Sequence, residues 1–341
     1  MQENKAVVRL DAIRSNAEIL RKHCGAKKLC AVVKADAYGH GAAEVAGALS
    51  GEADMFAVAL VSEGEALRLS CAKDILVLVP PLTESEALRG MTSDLIFSVG
   101  DAEDYALLRR TAEKYGTVAR CHLKVNTGMN RFGFDGDAFR SFLRGGLSDR
   151  VCVEGIYSHF YLPNDVTVVR GQFGLFSDFA EEAERVFGDL IKHVSATGGI
   201  LYGKEYALDM VRPGIGLYGY LPAGFEGALS LRKAMRVYAS VVSSREYAFG
   251  GAGYGKLSDA DAKNGLSAVR CGYADGFFRG GGIGNVNSLC MDAFIYSQKL
   301  EKYEELCILS DADEYARKNG TISYEVLVHA GRRAEKIYVG G

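Results

Sequence analysis

Short apolar runs alternate with longer amphipathic stretches from about residue 10 to about residue 220. The runs fall at 29–33, 55–60, 75–79, 95–99, 119–125, 153–158, 191–195 and 211–218. Their length and β-branched content are those of parallel strands buried on both faces. Helical stretches at 41–49, 102–115 and 172–187 lie between them, the last carrying Phe173, Leu175, Phe176, Phe179 and Ala180 in a roughly 3.6-residue stripe. Eight strand–helix units predict an α/β fold, an N-terminal (β/α)8 TIM-type barrel over residues 10–226. The rhythm then changes. Runs at 234–243, 266–271, 293–296 and 306–309 follow one another with few long helices, and glycines crowd at 250–255 and 280–284. This predicts a mostly β C-terminal domain over 227–341, with residues 1–9 a candidate to pair with it.

Composition narrows the partners. The chain of 341 residues has 40 Lys and Arg against 43 Asp and Glu, a net charge of −3 that gives no electrostatic footprint for nucleic acid or an anionic membrane. No apolar run is long enough to span a bilayer, and the first twenty residues lack the apolar core of a secretory leader, so a cytoplasmic location is expected. The eight cysteines include no C-x-x-C pair and lie in part within apolar runs such as Val151-Cys152-Val153. They predict buried, reduced thiols and no metal site.

In such a barrel the reactive groups gather where strands end on the C-terminal face. The first strand ends in CAVVKADAYGHG, which places Lys34 and Tyr38 at the rim. Lys124 and Arg131 follow the fifth strand in LKVNTGMNRFGF, and the sixth ends at His159 in GIYSHF. HVSATGG follows the seventh, and the eighth runs into DMVRPGIGLYGY with Arg212. The loops after strands seven and eight commonly bind phosphate in these barrels. Here they offer Ser195, Thr197, Gly198, Gly199, Gly214 and Ile215, hydroxyls and approachable backbone N–H groups. A rim lysine across from such a nest suits an aldehyde cofactor that carries a phosphate and is held as a Schiff base. Each element alone has a plainer reading: a strand-end lysine usually snorkels, and a histidine after a strand is more often structural. Pattern alone therefore stops at a barrel enzyme of open chemistry.

AVVKADAYGHG resembles the cofactor-lysine signature of the alanine racemases, pyridoxal 5'-phosphate (PLP) enzymes with a barrel and a C-terminal β domain. KVNTGMNRFGF, GIYSHF, DMVRPGIGLYGY, GGAGYG, CGYADGFFRG, LCMDAF and TISYEV follow in the family's order over nearly the whole chain. The resemblance implies that Lys34 holds the cofactor and is one of two acid/base groups. It makes Tyr254 the other, supplied by the second subunit of a homodimer. It gives Arg212 to the pyridine nitrogen and sets His159 between Arg212 and Tyr254. Tyr38, Thr197, Gly214, Ile215 and Tyr324 surround the phosphate. Arg131 and the backbone N–H of Met291 hold the substrate carboxylate, Tyr273 lies near the substrate entrance, and Lys124 corresponds to a position sometimes carbamylated, then fixing Arg131.

These residue types match the reaction. Racemisation removes a proton from one face of Cα and returns one to the other, so two groups on opposite faces are needed. Lysine and tyrosine both titrate near pH 10 unless burial or neighbours lower them. A guanidinium keeps its proton, so the ring nitrogen it faces stays unprotonated, which favours racemisation over transamination. Three departures bear on substrate: Ala196-Thr197 stands where the family commonly has Asn-Ser, Asn126 where Asp is usual, and segment 277–289 is shorter than the norm. L- and D-alanine are the expected substrates, in support of peptidoglycan synthesis. A serine or mixed serine/alanine racemase of the vancomycin-resistance type is the alternative, since a methyl against a hydroxymethyl group is worth only about 1–3 kcal/mol. A PLP-dependent decarboxylase would call for a different glycine-rich phosphate motif. A non-catalytic PLP carrier would lack the β module, and a sensor would have no need of Lys34, Tyr254, Arg212 and His159 together.

Overall fold

The computed structural model describes residues 4–145, 147–257, 263, 265–280, 283 and 289–341. The segment 277–289 falls partly outside the described residues, at 281, 282 and 284–288. The chain divides into two units. One comprises Ile13–Ala37 and Ala42–Arg232; the other takes the chain up to Ala12, Tyr38–Gly41 and Lys233–Gly341.

The chain opens with β1 (Lys5–Arg9), which belongs to the second unit. The first unit is built on eight strands: β2 (Lys28–Val32), β3 (Met55–Val58), β4 (Ile75–Val77), β5 (Ile96–Val99), β6 (Ala119–Lys124), β7 (Val151–Tyr157), β8 (Ile191–His193) and β9 (Met210–Val211). All neighbours run parallel, in the order β8-β7-β6-β5-β4-β3-β2-β9. The ring closes where Asp209 N donates to Lys192 O and Arg212 N to Ser195 O. β3, β4 and β5 are buried at every position, as their unbroken apolar sequence requires. Each fully buried Leu, Ile or Val contributes about 1.5–3 kcal/mol.

Two readings need correction. The eighth run is strand only at Met210–Val211, because Pro213 has no N–H for a ladder and Gly214 turns the chain (φ −117°, ψ −92°). Ile215–Tyr218 is a 3-10 turn. The long helix begins earlier than expected, at Val166, where the Asp165 carboxylate accepts from Thr167 N and Val168 N. It buries Val169, Gln172, Phe176, Phe179, Ala180 and Ala183, whereas Leu175 faces outward.

The second unit is a six-stranded sheet. Its path runs β12 (Phe294–Tyr296), β11 (Leu266–Val269), β10 (Met235–Arg245), β1 and β14 (Glu335–Val339), and β13 (Glu305–Leu309) also pairs with β10. β1 lies antiparallel to β10 and parallel to β14. Helices Ala312–Asn319 and Ser323–His329 complete it.

All eight cysteines are unpaired. The expectation of burial fails for Cys152 and Cys307, which are exposed; Cys152 sits near the start of β7 where the alternate side chain points outward. Among the described residues no helix is long and apolar enough to cross a membrane, and no group of three or more His, Cys, Asp or Glu side chains is placed to hold a metal.

Candidate active site

Lys34 leaves the end of β2 directly into a left-handed turn. Ala35, Asp36, Ala37 and Tyr38 have φ of 53, 54, 55 and 53°, a conformation that costs a non-glycine residue roughly 1–2 kcal/mol each. Such strain persists only where surroundings over-determine it. Glu63 Oε1 accepts from Ala35 N (2.8 Å) and its Oε2 from Ala59 N (2.6 Å), Asp36 Oδ1 accepts from Ala42 N (2.8 Å), and Ala37 N donates to Val33 O (2.8 Å). Glu63 thus braces the backbone immediately past Lys34. Burial and then the charge of Arg131 lower the Lys34 amine from its usual range, with Glu63 opposing.

Lys124 ends β6 and is only 5% exposed. Burial, then Arg212 and Arg131, push its amine down to about 7. Its Nζ lies 4.7 Å above the centre of the Tyr157 ring. The following loop carries Arg131 and is shaped by Asn126. Asn126 Oδ1 accepts from Gly128 N and Asn130 N, while its Nδ2 donates to Asn130 Oδ1 and Asp135 Oδ1. Arg131 itself is exposed.

Arg212, 3% exposed, is the second buried cation of the group, beside Lys124. It donates through Nη1 to His193 Nδ1 (2.5 Å) and through Nη2 to Ser158 O (2.7 Å) and Val194 O (3.4 Å). Its guanidinium stands 5.0 Å over Tyr157. That ring stacks on His193 (4.9 Å, 3° between planes) and its hydroxyl meets Ser98 Oγ at 2.6 Å. His159 sits just past β7; burial, followed by the charges of Arg212, Lys124, Arg131 and Lys34, holds its imidazole well below its usual range. The imidazole that accepts from Arg212 is that of His193.

Thr197, Gly214 and Ile215 come together after the last two strands. Thr197 Oγ1 accepts from Gly214 N and Gly216 N, both at 3.2 Å. A Cβ on Gly199 would lie 2.6 Å from Ser195 Oγ, and one on Gly216 2.9 Å from Thr197 Cγ2, so glycine is required for these two loops to nest.

The second unit holds the remaining candidates. The Tyr38 and Tyr324 rings are 6.1 Å apart, and burial raises both phenols, Tyr324 to about 12. Tyr273 N donates to Cys290 O and Ala274 N to Met291 O, which joins the Tyr273 and Met291 segments; a Cβ on Gly272 would stand 2.2 Å from Met291 O. Met291 is 53% exposed. Tyr254 is 79% exposed on a turn closed by reciprocal bonds between Ala252 and Gly255 (2.9 and 3.0 Å).

These residues fit a phosphate-bearing aldehyde. Arg131 acts as a like charge on both Lys34 and Lys124, and Arg212 acts on Lys124, a cationic setting for an anionic ligand. A lysine amine lowered by burial has the neutral fraction that attacks a carbonyl. The sequence reading missed Glu63, His122, Tyr157 and His193. Two of them carried a signal: His122 and Lys124 are two apart on one strand, so both face the same way, and His193 begins the HVSATGG segment.

The match to known proteins covers both units. Residues 8–222 match the model of the alanine racemase N-terminal domain and residues 234–338 that of the C-terminal domain. Alanine racemase of Desulforamulus reducens is 33% identical over 375 residues, covering 98% of this chain and 98% of the relative. The solved alanine racemase of Clostridium difficile 630 superposes with a TM-score of 0.89 at 28% identity, over 99% and 96% of the two chains. That of Bartonella henselae, solved with covalently bound pyridoxal phosphate, shares the fold at 23% identity, with a TM-score of 0.84 over 99% and 100%. The chain belongs to the alanine racemase family of isomerases, enzymes that depend on pyridoxal 5'-phosphate.

Proposed function

We propose that the protein interconverts L- and D-alanine, with Lys34 and Tyr254 as the two acid/base groups, and supplies D-alanine for peptidoglycan. The observation that carries this is Lys34, strand-end, partly buried and lowered among cations, in a chain matched along both domains by alanine racemases. When bound, the cofactor supplies the electron sink that makes the Cα proton removable. Lys34 anchors it and exchanges the proton on one face, in the neutral form that burial favours. Tyr254, exposed within its own chain, does so on the other face from the second subunit of a cytoplasmic homodimer. Arg212 offers an N–H to the ring nitrogen, and because guanidinium keeps its proton, it does not protonate that nitrogen. His159 lies between Arg212 and Tyr254. Tyr38, Thr197, Gly214, Ile215 and Tyr324 hold the phosphate. Arg131 and the Met291 N–H hold the substrate carboxylate, and Tyr273 lines its entrance. The domains divide at 226/227.

Lys124 has a further role in this reading. An amine lowered to about 7 is largely neutral in mildly alkaline solution and adds carbon dioxide to give a carbamate that faces Arg131. The test of the whole reading is racemisation of L-alanine and L-serine, side by side, by purified protein with pyridoxal 5'-phosphate. D-Alanine dominating is the expected result. D-Serine dominating would move the substrate and keep the machinery, and no D-product from either would refute the enzyme.

A further inference from the structure

Among the described residues Arg212 is held by neutral acceptors alone: the His193 imidazole and the carbonyls of Ser158 and Val194. A carboxylate would hold a guanidinium more strongly, and carboxylate partners are what buried arginines ordinarily have. Behind His193 stands a second imidazole. His122 Nδ1 lies 2.8 Å from His193 Nε2, both rings are fully buried, and His122 Nε2 has no partner among the described residues.

The chain of bonds has one proton order. Guanidinium nitrogens only donate, so His193 Nδ1 accepts and its proton is on Nε2. That N–H donates to His122 Nδ1, which leaves the His122 proton on Nε2. A second proton on either ring would set N–H against N–H. The charged groups acting on the pair are Arg212, Lys124, Arg120, Lys28 and Asp74, four cations and one anion, and burial adds to their effect. Both imidazoles are held well below their usual range, His122 to about 3. The stacked Tyr157 ring fixes the plane of His193.

We propose that His193 and His122 are a positioning pair that orients the Arg212 guanidinium through a fixed neutral tautomer, leaving its charge undamped toward the cofactor ring. The proposal rests on the reading of Arg212 given above. It differs from a packing role because the pair's neutrality matters as well as its shape.

Three replacements at 193 separate these roles in the holoenzyme. His193→Asn puts a neutral acceptor near the place of Nδ1, His193→Asp puts a carboxylate there, and His193→Leu puts none. The readouts are the pH titration of the bound cofactor's absorbance and the affinity of the apoprotein for pyridoxal 5'-phosphate. The Asn variant is expected to titrate as the parent does. In the Asp variant the midpoint rises by about one pH unit, since a nearby negative charge favours the protonated form. The Leu variant loses about tenfold in cofactor affinity. Nitrogen-15 spectra of the histidine-labelled parent should show His193 and His122 as neutral Nε2–H rings from pH 6 to 9. A titration of either ring in that range, or an Nδ1–H on either, overturns the proposal. So does an Asp variant that titrates like the Asn variant while Arg212→Gln moves the midpoint, which leaves the reading of Arg212 standing. If Arg212→Gln also leaves the midpoint unmoved, that reading falls and the proposal with it. Should the Leu variant not fold, the shape-matched Asn and Asp variants still decide.

Discussion

Lys34 and Lys124 stand at the ends of two strands of one barrel, yet their surroundings assign them different chemistry. Burial and Arg131 act against both cations, but Lys34 has Glu63 as a counter-charge, whereas Lys124 has Arg212 against it as well and is lowered to about 7. A base lowered in the folded protein loses its proton as pH rises through that value, so the nucleophilic form of Lys124 grows in across neutrality. Incubation with carbon-13 bicarbonate is expected to give a carbamate signal at pH 8 that falls away below about pH 7 and is missing in Lys124→Met. Absence of the signal at every pH would remove the carbamate from the scheme. Tyr254 permits a second test at this scale. If it acts on one face only, Tyr254→Phe slows proton removal from L-alanine by orders of magnitude more than from D-alanine, as isotope exchange in each direction would read. Equal slowing in both directions would contradict the two-base scheme. The lysines, Arg212 and Tyr254 stand out in the sequence as candidates because each lies in a distinctive motif. Glu63 does not, and His122 and His193 show only their strand positions and not their pairing, because these roles are hydrogen bonds to groups 28 and 71 residues away.

Elements were legible in proportion to how much of their own reason they carry. The barrel strands are unbroken apolar runs buried on both faces, so periodicity alone finds them. The eighth failed over 213–218 because Pro213 and Gly214 end the ladder although the residues stay buried. β14 and the helices Ala312–Asn319 and Ser323–His329 went unseen. They are short, and β14 has mixed polarity with no fully buried position. The left-handed turn after Lys34 had no glycine to announce it. It is set by Glu63 and Asp36, a tertiary cause that overrides local preference. The turn at Gly276 is the opposite case. Its φ is +94°, and a Cβ there would lie 1.7 Å from His329 O. Gly276→Ala is therefore expected to destabilise the second unit by about 2 kcal/mol or more, through left-handed strain and a backbone clash together. Urea unfolding measures this, and a change under about 0.5 kcal/mol, typical of a neutral surface site, would contradict it.

At the scale of the whole molecule the question is where the second acid/base group comes from. Tyr254 is 79% exposed on a tight turn, and its Ala252–Gly255 backbone bonds hold that turn without help from the phenol. A side chain so displayed has a use when another surface meets it, which is the sense of placing it in the partner's site. Complementation between inactive variants tests this without any structure of the dimer. In the proposed homodimer, Lys34→Ala and Tyr254→Ala proteins are each expected to be inactive, because every site in either variant lacks one group. Let them exchange subunits. If Lys34 of one protomer works with Tyr254 of its partner, each mixed dimer has one site lacking both groups and one site with both intact. Activity then returns on mixing, approaching half of the parent's per mixed dimer, and rises with the time allowed for exchange. If both groups of a site come from one chain, every site in the mixed dimer still lacks one of them. The mixture then stays as inactive as its parts however long exchange proceeds.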